Sequence, residues 1–298
     1  MKKHYFHLFQ LMFLSLFVMS CSNNATTNIG NDDTTNLHSS DQSSNATVKW
    51  DMGIALYSFN LFPFSVSLDK ADSAGVKYVE GFSFHVLKGE FKDSTMADLS
   101  SQGIMNMKRL LDEKGLKMRS MYVAGGKDAE DWKRYFEMAK TLGMDFIVCE
   151  PKKAHWNILD SLGEIYKIKI AIHEHAKGSS AYWHPDSVLA AIKGHKNIGA
   201  CADLGHWTRS GLDAVKCLNQ LKGHILCVHL KDVAKAEIDG EDVIVGKGVI
   251  DFAGVTRELK AQHYKGMVYV ECEHKMNNNV PDIIESMQYF NKVAAGTK

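Results

Sequence analysis

The sequence predicts an α/β fold, a (β/α)8 TIM barrel, on three observations. After residue 47, short β-branched or apolar runs alternate with amphipathic helical patterns, the order that builds parallel strands joined by crossover helices. Eight such units fit into the roughly 250 residues from 48 to 298, the size of one closed barrel. No glycine-rich phosphate loop follows the first strand, where Phe59-Asn60-Leu61-Phe62-Pro63 stands instead, and this argues against a doubly wound open sheet.

Ahead of the barrel the chain reads differently. Lys2 and Lys3 precede a run from Tyr5 to Val18 that is apolar apart from His7, Gln10 and Ser15, too short to span a bilayer comfortably. Residues 1–20 are therefore expected to be a signal peptide. Val18-Met19-Ser20-Cys21 resembles the lipobox of bacterial lipoproteins, in which a small residue precedes a cysteine that is lipidated and becomes the mature N-terminus. Residues 21–47 are almost wholly Ser, Thr, Asn, Asp, Ala and Gly and bury too little surface to offset their ordering entropy, so they read as a flexible tether. The expectation is a protein held to a bacterial membrane by its lipid alone, facing the periplasm or the cell surface.

The expected strands are 53–58, 78–83, 117–123, 146–151, 168–175, 198–203, 225–232 and 267–274. Between them, Trp132, Tyr135, Phe136, Ala139 and Leu142 recur at helical spacing, as do Ile283, Ile284, Met287, Phe290 and Ala294. Pro185 and Pro281 mark helix starts, where the missing N–H costs nothing. Thirty-five basic and thirty-five acidic residues cancel, so no global field draws the chain to nucleic acid or an anionic membrane. Cys149, Cys201, Cys217, Cys227 and Cys272 form no CxxC pair and read as small buried hydrophobes without disulfides.

Chemistry-bearing residues crowd the expected C-terminal ends of the last five strands. Glu150 closes the fourth, His173-Glu174-His175 the fifth, Asp203 the sixth, His229-Leu230-Lys231-Asp232 the seventh and Glu271-Cys272-Glu273-His274 the eighth. Neighbouring strand ends of a closed barrel converge on one mouth and can ring a cation. Strand alternation turns His173, His175, His229, Glu271 and Glu273 inward and Glu174 away. The mix of imidazole and carboxylate suits manganese, cobalt, zinc or iron better than calcium or magnesium. Aromatic residues near the strand ends, Tyr57, Phe59, Tyr182, Trp183 and Trp207, are candidates for stacking on a sugar face.

Cys201-Ala202-Asp203-Leu204-Gly205-His206, His229-Leu230-Lys231-Asp232, Gly246-Lys247-Gly248 and Val270-Glu271 resemble segments of the sugar phosphate isomerase/epimerase family, the xylose-isomerase-like barrels. The resemblance covers the whole chain after the tether. It implies a divalent metal on Asp203, His229 and Glu271, with His206 touching substrate. Where family members carry a glutamate on the fifth strand this chain has His173, which keeps a ligand but breaks the matched pair of glutamates that epimerases use.

The expected metal set is thus His173, Asp203, His229 and Glu271. Glu150, His206, Lys231 and Glu271 are the candidate catalytic groups, and Tyr57, His175, Trp183 and Trp207 the candidate substrate contacts. The expected reaction is enolisation of a keto-sugar, leaning to elimination or hydration over isomerisation, since one member of the epimerase pair is missing. Export points to a neutral sugar or an oxidised glycoside rather than a sugar phosphate. The rival expectation is a non-catalytic carbohydrate-binding lipoprotein. A DNA-repair endonuclease, also in the resembled superfamily, is disfavoured because its extra histidine ligands have no counterpart here. Cys21→Ala is expected to leave a soluble or uncleaved chain; unchanged membrane fractionation of that variant would remove the lipoprotein reading.

Overall fold

A computed structural model of the protein describes residues 49–91 and 94–297. The expected signal peptide, Cys21 and the tether lie outside the described residues. The strands are β1 (Met52–Ala55), β2 (Tyr78–Phe82), β3 (Lys117–Val123), β4 (Phe146–Cys149), β5 (Lys169–His173), β6 (Ile198–Asp203), β7 (Ile225–Leu230), β8 (Asp232–Val233), β9 (Asp242–Val243) and β10 (Met267–Val270). The helices are α1 (Phe64–Ser73), α2 (Ser101–Glu113), α3 (Ala129–Leu142), α4 (Trp156–Tyr166), α5 (Pro185–Ile192), α6 (Leu204–Arg209), α7 (Ala214–Gln220), α8 (Phe252–Ala261) and α9 (Val280–Gly296). All the strands except β8 and β9 close a barrel in the order β1-β10-β7-β6-β5-β4-β3-β2, every pairing parallel. The antiparallel β8–β9 pair is a small hairpin in the connection after β7.

Several strands stop short of their expected ends. β1 gives way to a 3-10 turn over Leu56–Phe59, and β4, β5, β7 and β10 end before 151, 175, 232 and 274. A strand lasts only as long as its neighbours pair with it, and the β10 ladder ends where Val270 faces Leu230 on one side and Ile54 on the other. Tyr57, Glu150, His175, Lys231 and Glu271 therefore stand on the turns that leave the strands, at the barrel's C-terminal rim.

The core has two layers. Ala55, Phe146, Val148, Ala171, Cys201, Cys227, Met267 and Tyr269 fill the barrel interior, while Ile54, Val79, Ile147, Ile170, Ile172, Val228 and Val270 pack outward against the helices. The two sets alternate along each strand, as the two-residue period requires. The α3 stripe is buried from Trp132 to Leu142; Asp128 caps the helix start through the N–H of Asp131, and Gly143 ends it in the left-handed conformation at φ 73°. The five cysteines among the described residues are buried and free.

His85 ties the loops after β1 and β2 together. Its ring stacks on Phe82 at 4.2 Å, Nε2 donates to the Phe62 carbonyl at 3.0 Å, and Nδ1 is buried without a partner. A proton on Nδ1 would be a buried donor with no acceptor, and burial holds the imidazole at about 4, below its ordinary value. The unfolded chain takes up this proton near pH 6.5 and the folded one only near pH 4. The neutral-ring contribution is therefore complete above pH 6.5 and is lost as pH falls toward 4, on the order of 3 kcal/mol in full. Denaturation of wild type and His85→Gln between pH 7 and 4 checks this: the stability gap between them should narrow as pH falls.

Candidate active site

Asp203 ends β6 and begins α6 in one residue. Its Oδ1 accepts a hydrogen bond from the His206 N–H at 2.8 Å, capping the helix, and its Oδ2 is buried with no hydrogen-bond partner. The three-residue spacing to His206 is the spacing of that cap, so the motif carries His206 over the same strand end. His173 Nε2 and His229 Nδ1 stand 3.6 and 3.7 Å from Asp203 Oδ2, and His229 Nδ1 stands 3.2 Å from Glu271 Oε2.

His173, Asp203, His229 and Glu271 each offer an atom within 4.8 Å of the others, all buried. Ligands bonded at about 2.0–2.2 Å around one ion must lie close together in this way. The unpartnered Asp203 Oδ2 at the centre is the second sign that the residues fit a divalent cation: a buried carboxylate oxygen is costly to leave unsatisfied. Burial works against the charge on Asp203, and His206 and Lys231 beside it outweigh burial and hold the carboxyl well below its usual range. Burial likewise opposes the charge of Glu271, which Lys231 and His229 hold low.

Lys231 is 1% exposed and is the most enclosed cation of the site. Its Nζ reaches Glu273 at 2.5 Å, Glu271 at 3.2 Å and Asp203 at 3.7 Å, with His206 Nε2 at 3.4 Å. Burial alone would favour the neutral amine, and the three carboxylates reverse it, raising its pKa well above that of a free lysine. Gly205 makes the stem's path possible, since a Cβ there would come within 2.6 Å of Lys231 Cγ. Asp232 turns the other way: its carboxylate accepts from the N–H groups of Val233, Gly246, Gly248 and Ile250 and anchors the returning loop. The GxG glycines therefore serve the loop, and a Cβ on Gly248 would meet Asp232 at 2.3 Å.

A cavity of about 370 Å³ opens above the cluster. His173, His175, His206, His229, Lys231 and Glu271 form its polar wall, and Tyr57, Phe82, Phe84 and Tyr122 its aromatic wall. Phe84 is 44% exposed at the mouth. Glu150 does not line this cavity; it stands behind His175, whose Nδ1 lies 2.5 Å from its Oε1, and it also accepts from the Tyr122 hydroxyl at 2.9 Å.

Two expected aromatic contacts are corrected. Trp207 is fully buried on α6 within the outer core layer, and Trp183 lies on the loop before α5, beside His184 and Lys177 and outside the cavity lining. Both stand near strand ends in sequence, but the turns that follow aim them away from the mouth. Phe59 is core and Tyr182 is buried beyond Glu150. Glu174 faces outward and is fully buried, with both oxygens unpartnered, and burial pushes its carboxyl well above its ordinary range. Sequence reasoning passed over Glu80 on β2, which alternation turns inward and which also lines the cavity. It also gave no role to Glu273, the closest partner of Lys231.

Fold and site together define a class, and the chain belongs to it: the model of the xylose isomerase-like TIM barrel family matches residues 68–293. Inosose dehydratase of Lactiplantibacillus plantarum is 29% identical over 133 residues, 39% of this chain and 44% of that protein. Inosose dehydratase of Clostridium beijerinckii is 26% identical over 157 residues, 44% and 52% of the two chains. The chain spans about half the length of the curated relatives it matches. A crystal structure of an uncharacterised protein from Parabacteroides distasonis is 30% identical, with a TM-score of 0.66, over 82% of this chain and 98% of that one. The IolI protein, crystallised with a zinc atom, shares the fold at a TM-score of 0.67 and 17% identity, over 83% and 99% of the two chains.

Metal analysis of purified variants tests the ligand set. Asp203→Asn and Asp203→Ala should both lose a stoichiometric divalent metal that wild type retains. Only the alanine variant should also lose about 1 kcal/mol of stability with the α6 cap.

Proposed function

We propose that this chain is an exported, divalent-metal-dependent enzyme that removes the proton next to the carbonyl of a cyclic keto-sugar or keto-polyol. Loss of a β-oxygen substituent then follows, or in the reverse sense water adds, in preference to isomerisation or epimerisation. One observation carries the choice: the groups flanking the four candidate ligands are unlike each other. His175, backed by Glu150, lies with its ring 4.7 Å from that of His206, and His206 Nε2 in turn stands 3.4 Å from Lys231 Nζ, which is paired with Glu273. An epimerase needs matched acid/base groups on opposite faces of one carbon, whereas elimination needs a base for the C–H and a separate cation for the leaving oxygen. The relatives named inosose dehydratase support the same choice.

A divalent cation on His173, Asp203, His229 and Glu271 would supply the Lewis acid that polarises the carbonyl. Glu150 keeps the proton of His175 on Nδ1, which leaves Nε2 as the nitrogen free to accept a proton. Lys231, charged and enclosed, holds negative charge as it develops on a departing oxygen, and His206 Nε2 beside it contacts a substrate hydroxyl. Tyr57 and the neighbouring Phe82, Phe84 and Tyr122 give the apolar face against which a sugar ring's C–H groups pack. The N-terminal pattern ending in Cys21 supports export and lipid anchoring, which sets a neutral, extracytoplasmic sugar as the substrate class.

His206→Ala and Lys231→Ala should each keep fold and metal and lose a hundredfold or more in turnover, about 2.7 kcal/mol of transition-state stabilisation. The assay is NMR in heavy water with metal-loaded protein on free ketoses, keto-cyclitols and keto-glycosides. Deuterium should enter the carbon beside the carbonyl. Near-normal turnover in both variants would place the catalytic groups elsewhere.

A further inference from the structure

Beneath the four candidate ligands the barrel interior holds a carboxylate that the proposed reaction does not use. Glu80 projects from β2 into the lumen and is 2% exposed. Its Oε2 accepts a hydrogen bond from Ser120 Oγ on β3 at 2.6 Å. Ser120 Oγ also stands 2.9 Å from the Tyr269 hydroxyl on β10. Glu80 Oε1 then lies 2.9 Å from His229 Nε2 on β7. In barrel order β10 and β1 separate β7 from β2, so this contact crosses the lumen.

A carboxylate this deep needs a reason, because an apolar side chain would fill the same space without desolvating a charge. The geometry at His229 supplies one. Its other ring nitrogen, Nδ1, faces Glu271 Oε2 at 3.2 Å and Asp203 Oδ2 at 3.7 Å. An imidazole that ligates through one nitrogen keeps its proton on the other, and an acceptor there settles both tautomer and ring plane. The Nε2 contact is at hydrogen-bond distance but outside hydrogen-bond angles. Ser120 and Tyr269, both fully buried, hold the acceptor in place.

We propose that Glu80 is the positioning residue of the metal site: it holds the His229 proton on Nε2, turns Nδ1 toward Asp203 and Glu271, and so raises affinity for a divalent transition metal. Ser120 and Tyr269 act through Glu80. The assignment rests on the metal-binding reading above, and it names residues outside the four candidate ligands.

The test is zinc affinity, measured by chelator competition on wild type, Glu80→Gln, Glu80→Ala and Ser120→Ala, together with the cobalt absorption spectrum of each. Glu80→Ala should bind zinc roughly 10–100-fold more weakly. Glu80→Gln and Ser120→Ala should fall between it and wild type, with altered ligand-field bands. Melting with and without zinc separates positioning from packing: a positioning role shrinks the zinc-induced rise, whereas a packing role lowers both melting points equally and leaves affinity unchanged. If Glu80→Ala does not fold, the near-isosteric Glu80→Gln and the mild Ser120→Ala carry the comparison. A wild type that takes up no zinc overturns the metal reading and this assignment together. A wild type that binds zinc no more tightly than the variants overturns this assignment alone. So does an intense thiolate-to-cobalt band, which would place the ion deeper, on Glu80, Cys227 and His229.

Discussion

The site depends on how the Asp203 carboxylate is divided. One oxygen is committed to the backbone of α6, which fixes the side chain's rotamer, and the other is thereby left at the centre of the barrel mouth with no hydrogen bond. Four polar groups are arranged around that oxygen: His173 from β5, His229 from β7, Lys231 just beyond β7 and His206 from the capped helix itself. A side chain that only capped the helix would not need to be so deeply enclosed. One that only bound a cation would have to find its orientation without the helix.

Charge balance follows from the same arrangement. Two carboxylates and two imidazoles, neutral once they ligate, would match a divalent cation, and Lys231 with Glu273 makes a neutral pair beside them. Buried charges persist only when compensated in this way. Among the described residues of the site, Glu273 is the carboxylate of this pair that reaches solvent, with its side chain 31% exposed. Lys231 is sealed by the stem's passage over Gly205.

Where the family resemblance implies a glutamate on β5 this chain has His173, which faces Asp203 through Nε2 and His175 through Nδ1. His175 lines the cavity next to it, with Glu150 behind it rather than in the cavity. The barrel is the same as in its relatives, and the chemistry is set by which strand-end side chains it carries.

The fold and most of the site were legible in the sequence. Eight apolar runs with a two-residue period prescribe which side chains face the lumen, so parity turns His173, His229 and Glu271 to one mouth, while Asp203 is added by its strand end and the family resemblance. The DxxH spacing could be read because a helix cap is a local interaction. What only the tertiary structure decided involves turns and distances across the barrel. Trp207 and Trp183 point away because the turn after a strand end resets side-chain direction, and no periodicity carries through a turn. Glu150 meets His175 on the turns that follow β4 and β5, beyond the last paired residues Cys149 and Ile172. Glu80 meets His229 across the lumen, between strands that share no ladder, so no local pattern could have paired them.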